Sequence, residues 1–333
     1  MQILSWHRTA FERLGTTESR LPHALLLSGP RGIGKLVFAR TIAQALLCEA
    51  PGQEDGACGA CSACAWFESG SHPDYRQIEP AIESSEGEEG EKKSTVISVD
   101  QIRALPAFIN MSSHRGGPKV VVIHPAEMLN VNAANALLKS LEEPPARTHF
   151  LLVSHRPHQL LPTIKSRCQR IALAGPDTAT AIAWLADKGV RHPELALAHT
   201  GGAPLLALEL EDREYWGTRA AFLRQLSALD LDVLSAAEAV RDFPVPDVIG
   251  WLQKWSYDLV TYRMLGKVRY NPDHGETLAR TATQIDPVAV ARLHREMVQL
   301  QRIAHHPLNP RLFIENVLLG YRDLTQPRAV ALA

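Results

Sequence analysis

ALLLSGPRGIGKLVFARTIAQALL, residues 24–47, changes character twice, and its reading decides the fold. Ala24–Leu27 is an unbroken apolar run of the length a buried strand takes. A glycine-rich turn follows, and residues 35–47 carry apolar side chains at helical spacing. Strand, glycine turn and helix in that order are the setting of a phosphate loop, and Gly29-x-x-x-x-Gly34-Lys35 matches its spacing, with Gly32 inside the turn. Glycines let backbone N–H groups close around phosphate oxygens, the helix N-terminus adds positive potential, and Lys35 reaches the outer phosphates.

Working outward, the pattern repeats. Short runs at 74–79, 120–123, 150–153 and 168–173 read as further strands, with a helix after Asn130 that Pro144-Pro145 stops. Strands alternating with helices predict an α/β fold built on a parallel sheet covered on both faces. After Gly175-Pro176 the chain reads as helix upon helix, with a break at Gly201-Gly202-Ala203-Pro204. Val248, Leu252, Trp255, Leu259 and Tyr262 fall at spacings of four and three, as do Val290, Leu293, Met297 and Leu300. Such stripes read as the core of a helical bundle, or as a surface for oligomers.

Three positions needed for ATP hydrolysis are replaced. The residue after Lys35, which should offer a hydroxyl to Mg²⁺, is Leu36. The acid that closes the partner strand is His124, and the next residue, where a water-activating glutamate would sit, is Pro125. All three losses fall on metal binding and water activation, none on the phosphate cradle. The pattern predicts no catalysed hydrolysis at this site and leaves nucleotide binding without turnover open. Glu127 lies past the strand and is not expected to substitute.

Cys58-x-x-Cys61-x-x-Cys64, with Cys48 upstream, puts four of the five cysteines in one short segment. No export signal precedes them, so metal is favoured over disulfides. Four thiolates suit structural Zn²⁺ and leave no position open for catalysis. A ferredoxin-type iron–sulfur site would continue with Cys-Pro, which is absent, and a reduced, metal-free cluster is the remaining alternative. Cys168 reads as a small buried residue rather than a nucleophile, and the histidines show no metal-site spacing; His155, His158, His305 and His306 read as surface or cap residues.

The strings NVNAANALLKSLEEPP (130–145) and THFLLVSHRPHQLLPTIKSRCQ (148–169), in order behind the phosphate loop, resemble the ATPase domain of the bacterial clamp-loader AAA+ family. The likeness is strong over about residues 1–210. The degenerate nucleotide site aligns it with the non-hydrolysing member rather than the ATP-hydrolysing gamma/tau subunits. What the resemblance implies is specific. An AAA+ domain would span 1–174, with a zinc module at about 48–64. A helical lid would follow over 175–209, and a helical collar for oligomerisation over 210–333. Arg167, in Ser166-Arg167-Cys168, would act in trans as an arginine finger on a neighbour's γ-phosphate; without the family likeness it reads as a surface arginine in an ion pair. Gly201–Pro204 stands where active relatives carry an arginine that senses their own nucleotide. The implied partners are gamma/tau, delta, the sliding clamp and primed DNA, within the DNA polymerase holoenzyme.

Charge and composition bound the alternatives. Lysine and arginine (35) nearly balance aspartate and glutamate (36), which argues against coating nucleic acid by bulk charge. An active gamma/tau-like ATPase and a stand-alone zinc-dependent DNA-binding protein are the rival readings. With no signal peptide and no membrane-length apolar run, the expectation is a soluble cytoplasmic protein. Residues 83–91, rich in glutamate and glycine, read as a solvated mobile loop rather than a partner-binding one.

Overall fold

The computed structural model describes residues 3–15, 21–50, 56–83, 92–93, 96–114, 116–211, 213–228, 230–304 and 309–325. Residues 84–91 of the acidic stretch, and His305 and His306, lie outside the described residues. The chain divides into two compact units, Met1–Pro176 and Asp177–Ala333.

In the first unit a 3-10 turn, Ser5–His7, runs into α1 (Arg8–Leu14). β1 (Ala24–Ser28) leads through the glycine turn into α2 (Lys35–Leu47). Then come α3 (Ser62–Glu68), β2 (Tyr75–Ile78), a short antiparallel pair β3 (Ile82–Glu83) and β4 (Lys92–Lys93), α4 (Val99–Arg103) and α5 (Leu105–Asn110). The unit closes with β5 (Lys119–Ile123), α6 (Val131–Glu142), β6 (Thr148–Ser154), α7 (Pro162–Lys165) and β7 (Gln169–Ala172).

Five strands pair in parallel in the order β2-β5-β6-β1-β7, which places β1 and its glycine turn beside β6 and β7. Side chains of a strand alternate between faces, so a central strand covered on both sides must be apolar throughout. Leu25, Leu27, Val120, Val122, Leu151 and Val153 pack on one face with Phe38 and Ile42 of α2. Leu26, Val121, Ile123, Phe150 and Leu152 pack on the other with Ile102, Leu137, Leu141 and Ile164. The parallel sheet expected from the apolar runs is therefore present, with each strand within a residue or two of its expected bounds. Asn130 caps α6, its Oδ1 accepting from the Ala133 amide at 2.8 Å. The sequence reading left α4 and α5 unassigned, although Ser98 and Gln101 form a reciprocal capping box at the start of α4.

The second unit contains α8 (Thr178–Asp187), α9 (Pro193–His199) and α10 (Pro204–Glu209), with Gly201-Gly202 between the last two. Six further helices follow: α11 (Arg213–Leu226), α12 (Val233–Glu238), α13 (Val245–Leu265), α14 (Gly275–Gln284), α15 (Pro287–Ile303) and α16 (Pro310–Thr325). Among the described residues this unit has no strand. The first three helices share a small core around Leu185, Leu197 and Ala207, and the rest a large one. Val248, Leu252, Trp255 and Leu259 are buried there, as are Val290, Leu293 and Met297, while Tyr262 and Leu300 pack at its margin. Buried polar contacts join the two groups. The Tyr215 hydroxyl lies 2.8 Å from His199 Nε2 and accepts from Trp251 Nε1 at 2.8 Å. Among the described residues no helix is long and apolar enough to cross a membrane.

Candidate functional site

The phosphate loop runs from Gly29 through Gly32 and Gly34 to Lys35, the first residue of α2. Gly34 has φ +94°, and a Cβ added there would lie 2.2 Å from Leu4 Cδ1. Both the backbone conformation and the space therefore select glycine. The contact also shows that the N-terminal segment covers the loop. Trp6 Nε1 donates to the Ile33 carbonyl at 3.0 Å, and His7 is buried with its ring edge-on to Phe38. Burial pushes the His7 imidazole down to about 4, with a backbone contact at Ala174 opposing and Lys35 adding to the shift. Sequence reasoning passed over this segment; its one visible signal is the apolar and aromatic run Ile3-Leu4-Ser5-Trp6.

Lys35 is 2% exposed and bends back on its own loop. Its ammonium donates to the Gly29 carbonyl at 2.8 Å and to the Pro30 carbonyl. Burial lowers its pKa to about 8, with Glu127 pulling the other way. Leu36 turns toward apolar company and packs against the core on the α2 face of the sheet.

The two residues that follow β5, His124 and Pro125, bring no carboxylate of their own to the strand end. His124 Nδ1 is 3.0 Å from Glu79 Oε1, and the His124–Pro125 peptide is cis. Glu127 sits in the 3-10 turn Ala126–Met128, where both its oxygens accept from backbone amides: His155 at 2.9 and 3.2 Å, Arg156 at 3.2 Å. The side chain is committed to capping the end of β6. His155 is not the surface or cap residue expected. Its ring lies 5.2 Å from that of His124, edge to face, and burial foremost, then Lys35, pushes its pKa down to about 4. A free-standing histidine in sequence gave no sign that strand order would bring β6 beside β5 here.

The four clustered cysteines converge. Their sulfurs all lie within 4.8 Å of one another, with Cys48 and Cys61 Sγ 3.9 Å apart. Tetrahedral Zn²⁺ with Zn–S near 2.3 Å sets sulfurs about 3.8 Å apart, so the donor set fits the ion in number, softness and spacing. Amides already point at the sulfurs: Cys58 N–H to Cys48 Sγ at 3.2 Å and Cys61 N–H to Cys58 Sγ at 3.4 Å. Such amides hold the Cys58 thiol down to about 6, whereas burial pushes Cys48 and Cys64 up.

Arg167 follows α7 and is held within the first unit. It donates to the Thr163 carbonyl at 2.9 Å and to Ser166 Oγ at 3.2 Å, and pairs with Glu142 at the end of α6. Its side chain keeps 32% exposure. Among the described residues no hydrogen bond or ion pair ties it to the phosphate loop. Cys168 behind it is buried, and burial alone pushes its thiol up to about 11, consistent with a packing role.

A five-stranded parallel sheet in this order, a phosphate loop between β1 and α2, and helices behind them define an AAA+ P-loop protein. Residues 9–177 match the family described as DNA polymerase III, delta subunit, and residues 213–323 its C-terminal counterpart. DNA polymerase III subunit delta' of Pseudomonas aeruginosa is 41% identical over 79% of this chain and 78% of its own length. That of Escherichia coli is 30% identical over 99% of this chain and 98% of its own. The chain belongs to the delta' family of DNA polymerase III clamp-loader subunits. Subunit tau of Bacillus subtilis, 39% identical, matches only 46% of this chain and 25% of its own length. Among solved structures, a gamma subunit-related protein of Thermotoga maritima aligns over 96% of this chain and all of its own, at 20% identity and a TM-score of 0.44.

Proposed function

We propose that this chain is the non-hydrolysing member of a clamp loader that assembles with gamma/tau and delta in the cytoplasm. The assembly opens the sliding clamp and sets it on primed DNA. The observation that carries this reading is the end of β5. There His124 and Pro125 occupy the positions of the metal-binding and water-activating acids, and Glu79 and the amides at His155 and Arg156 engage the polar groups nearby. A nucleotide held by Gly29, Gly32, Gly34 and Lys35 would meet no carboxylate free to ligate Mg²⁺ or activate water. The loop then serves the shape of the subunit rather than turnover.

In this reading the chain contributes to catalysis through Arg167 alone. The guanidinium stays charged at any working pH and presents a planar fork of donors, which suits charge building up on a transferring phosphoryl group. Its pairing with Glu142 parks it near the surface until a neighbour's nucleotide competes for it. Cys48, Cys58, Cys61 and Cys64 hold structural Zn²⁺, which fixes the segment between α2 and α3. The domains follow the family plan: an AAA+ domain to about residue 174, a helical lid to 209, and a collar beyond.

The test is DNA- and clamp-stimulated ATP hydrolysis by the reconstituted complex, comparing wild type with Arg167→Ala. With assembly intact, turnover should fall by at least about tenfold, a floor set well below the 10³–10⁵ that a finger contributes in GTPases. Unchanged turnover by an intact complex would remove the finger.

A further inference from the structure

The connection between α13 and α14 is built with more internal support than a surface turn needs. Asp258 on α13 is fully buried, and its carboxylate accepts from the amides of Arg269 at 2.8 Å, Tyr270 at 3.1 Å and Asn271 at 2.8 Å, and from Asn271 Nδ2 at 2.8 Å. A second clasp comes from buried Arg219, which donates to Asp273 Oδ2 at 2.7 Å and Asn271 Oδ1 at 2.6 Å. Gly266, in the left-handed conformation at φ +66°, ends α13 and turns the chain into this grip. A buried carboxylate taking four N–H donors fixes the backbone of an exposed segment in one shape.

The last turn of α13 and the connection that follows it present cations and apolar surface together. Arg263, Lys267 and Arg269 are exposed, and among the described residues none of them joins an ion pair. Met264 and Leu265 beside them are 72% and 70% exposed. From residue 259 to 272 the sequence carries no acid, and the two flanking acids, Asp258 and Asp273, are engaged internally. Arg269 also lies over the Tyr270 ring, 5.3 Å from its centroid. Three positive charges on a chain of net charge −1 thus stand together with no ion-pair partner among the described residues.

We propose that this turn binds single-stranded nucleic acid, with Arg263, Lys267 and Arg269 on consecutive phosphates and Met264 and Leu265 against the bases. Phosphate is the anion that recurs along a chain, so that neighbouring cations can each meet one, and releasing its counterions supplies affinity without sequence preference. A duplex hides its base faces, so two exposed apolar side chains gain nothing from it. An unpaired strand offers those faces for apolar contact. The proposal concerns the second unit and stands whether or not Arg167 is a finger.

The full-length chain is titrated against a fluorescein-labelled oligothymidylate of roughly 20 nucleotides, longer than the about 4–16 that one OB fold covers. Anisotropy is read over a range of salt, with duplex as competitor. Wild type should bind the single strand in preference to duplex. Arg263→Ser/Lys267→Ser/Arg269→Ser should weaken binding at least tenfold at low salt. It should also flatten the slope of log K against log salt by about 2, at roughly 0.7 for each phosphate no longer neutralised. Met264→Ser/Leu265→Ser should weaken binding with the slope unchanged, and an unchanged melting temperature checks that both variants fold. No binding by wild type, equal binding by the triple variant, or a preference for duplex overturns the proposal. So does a triple variant that binds DNA normally but assembles poorly with gamma/tau and delta, which would make the turn a protein contact.

Discussion

Two corners of the first unit carry ligand-binding groups, and they have been left in opposite conditions. At the phosphate loop Lys35, His124 and Glu127 have each found a partner inside the chain: Lys35 on the carbonyls of Gly29 and Pro30, His124 on Glu79, Glu127 on the amides after β6. At the cysteine cluster four sulfurs lie within 4.8 Å with only weak partners, because a thiol donates and accepts poorly. Both were found in the sequence as motifs. The difference lies in whether the protein itself has satisfied the donors and acceptors. A cradle whose charges are already matched gains little from an ion. A cluster of soft donors at metal spacing gains a great deal.

The largest effect should therefore come from the cysteines. Purified protein should carry one zinc per chain by elemental analysis, and Cys64→Ser should lose it. Zinc binding to four thiolates contributes about 10–16 kcal/mol in small modules, and here it would hold the segment between α2 and α3. Hydrogen exchange across residues 56–70 should rise by orders of magnitude in the variant while β1 and β6 stay protected. Wild type that carries no zinc, with protection unchanged in the variant, would make the cluster a set of packed thiols.

At the phosphate loop the comparison is sharpened by pH. His7 is 1% exposed beside Lys35, and its pKa is lowered from 6.5 to about 4. Between those values the unfolded chain binds the proton and the folded one does not, so stability is lost as pH falls from about 6.5 toward 4. The shift corresponds to about 3 kcal/mol. His7→Phe, which keeps an aromatic ring against Phe38, should remove that part of the acid sensitivity. Denaturant unfolding at several pH values checks it, and overlapping profiles would mean that the segment Ser5–His7 opens before it titrates.

How far the sequence revealed all this depends on the range of the interaction. Strands β1, β5 and β6 were legible because a buried parallel strand must be apolar on both faces, and the cysteine cluster because its members sit within one short stretch. Asn130 was legible as a cap because capping is local. What escaped was contact across the sheet. His155 reads as an ordinary polar residue until β6 pairs with β5 and brings it to His124. Leu4, Trp6 and His7 carry no motif, and only the fold lays them on the phosphate loop. The Asp258 grip spans eleven to thirteen residues to Arg269, Tyr270 and Asn271 and matches no known short pattern. Sequence reading located which groups were missing from the nucleotide site; it did not show that others had taken up the slack.

The smallest effect is expected where an active ATPase would show one of the largest. In a working phosphate loop the lysine is indispensable, so Lys35→Met separates a retired site from a live one. Lys35 is almost fully buried, and its pKa falls from 10.5 to about 8. The folded state thus disfavours its charge by about 3 kcal/mol. This penalty is fully present below pH 8 and fades as pH rises toward 10.5, because over that window the unfolded chain binds the proton more tightly. Methionine relieves the penalty and keeps the stem's packing, but it orphans the Gly29 and Pro30 carbonyls at about 1–3 kcal/mol each. The two terms oppose each other. Stability at pH 7 should change by no more than about 3 kcal/mol, and the gain in stability between pH 8 and 10.5 should disappear. Stimulated ATP turnover by the reconstituted complex should stay within about twofold of wild type, against the tenfold or greater loss expected for Arg167→Ala. A Lys35→Met complex that stops hydrolysing ATP would show that this loop still works on nucleotide, and the contrast between the two corners would fail.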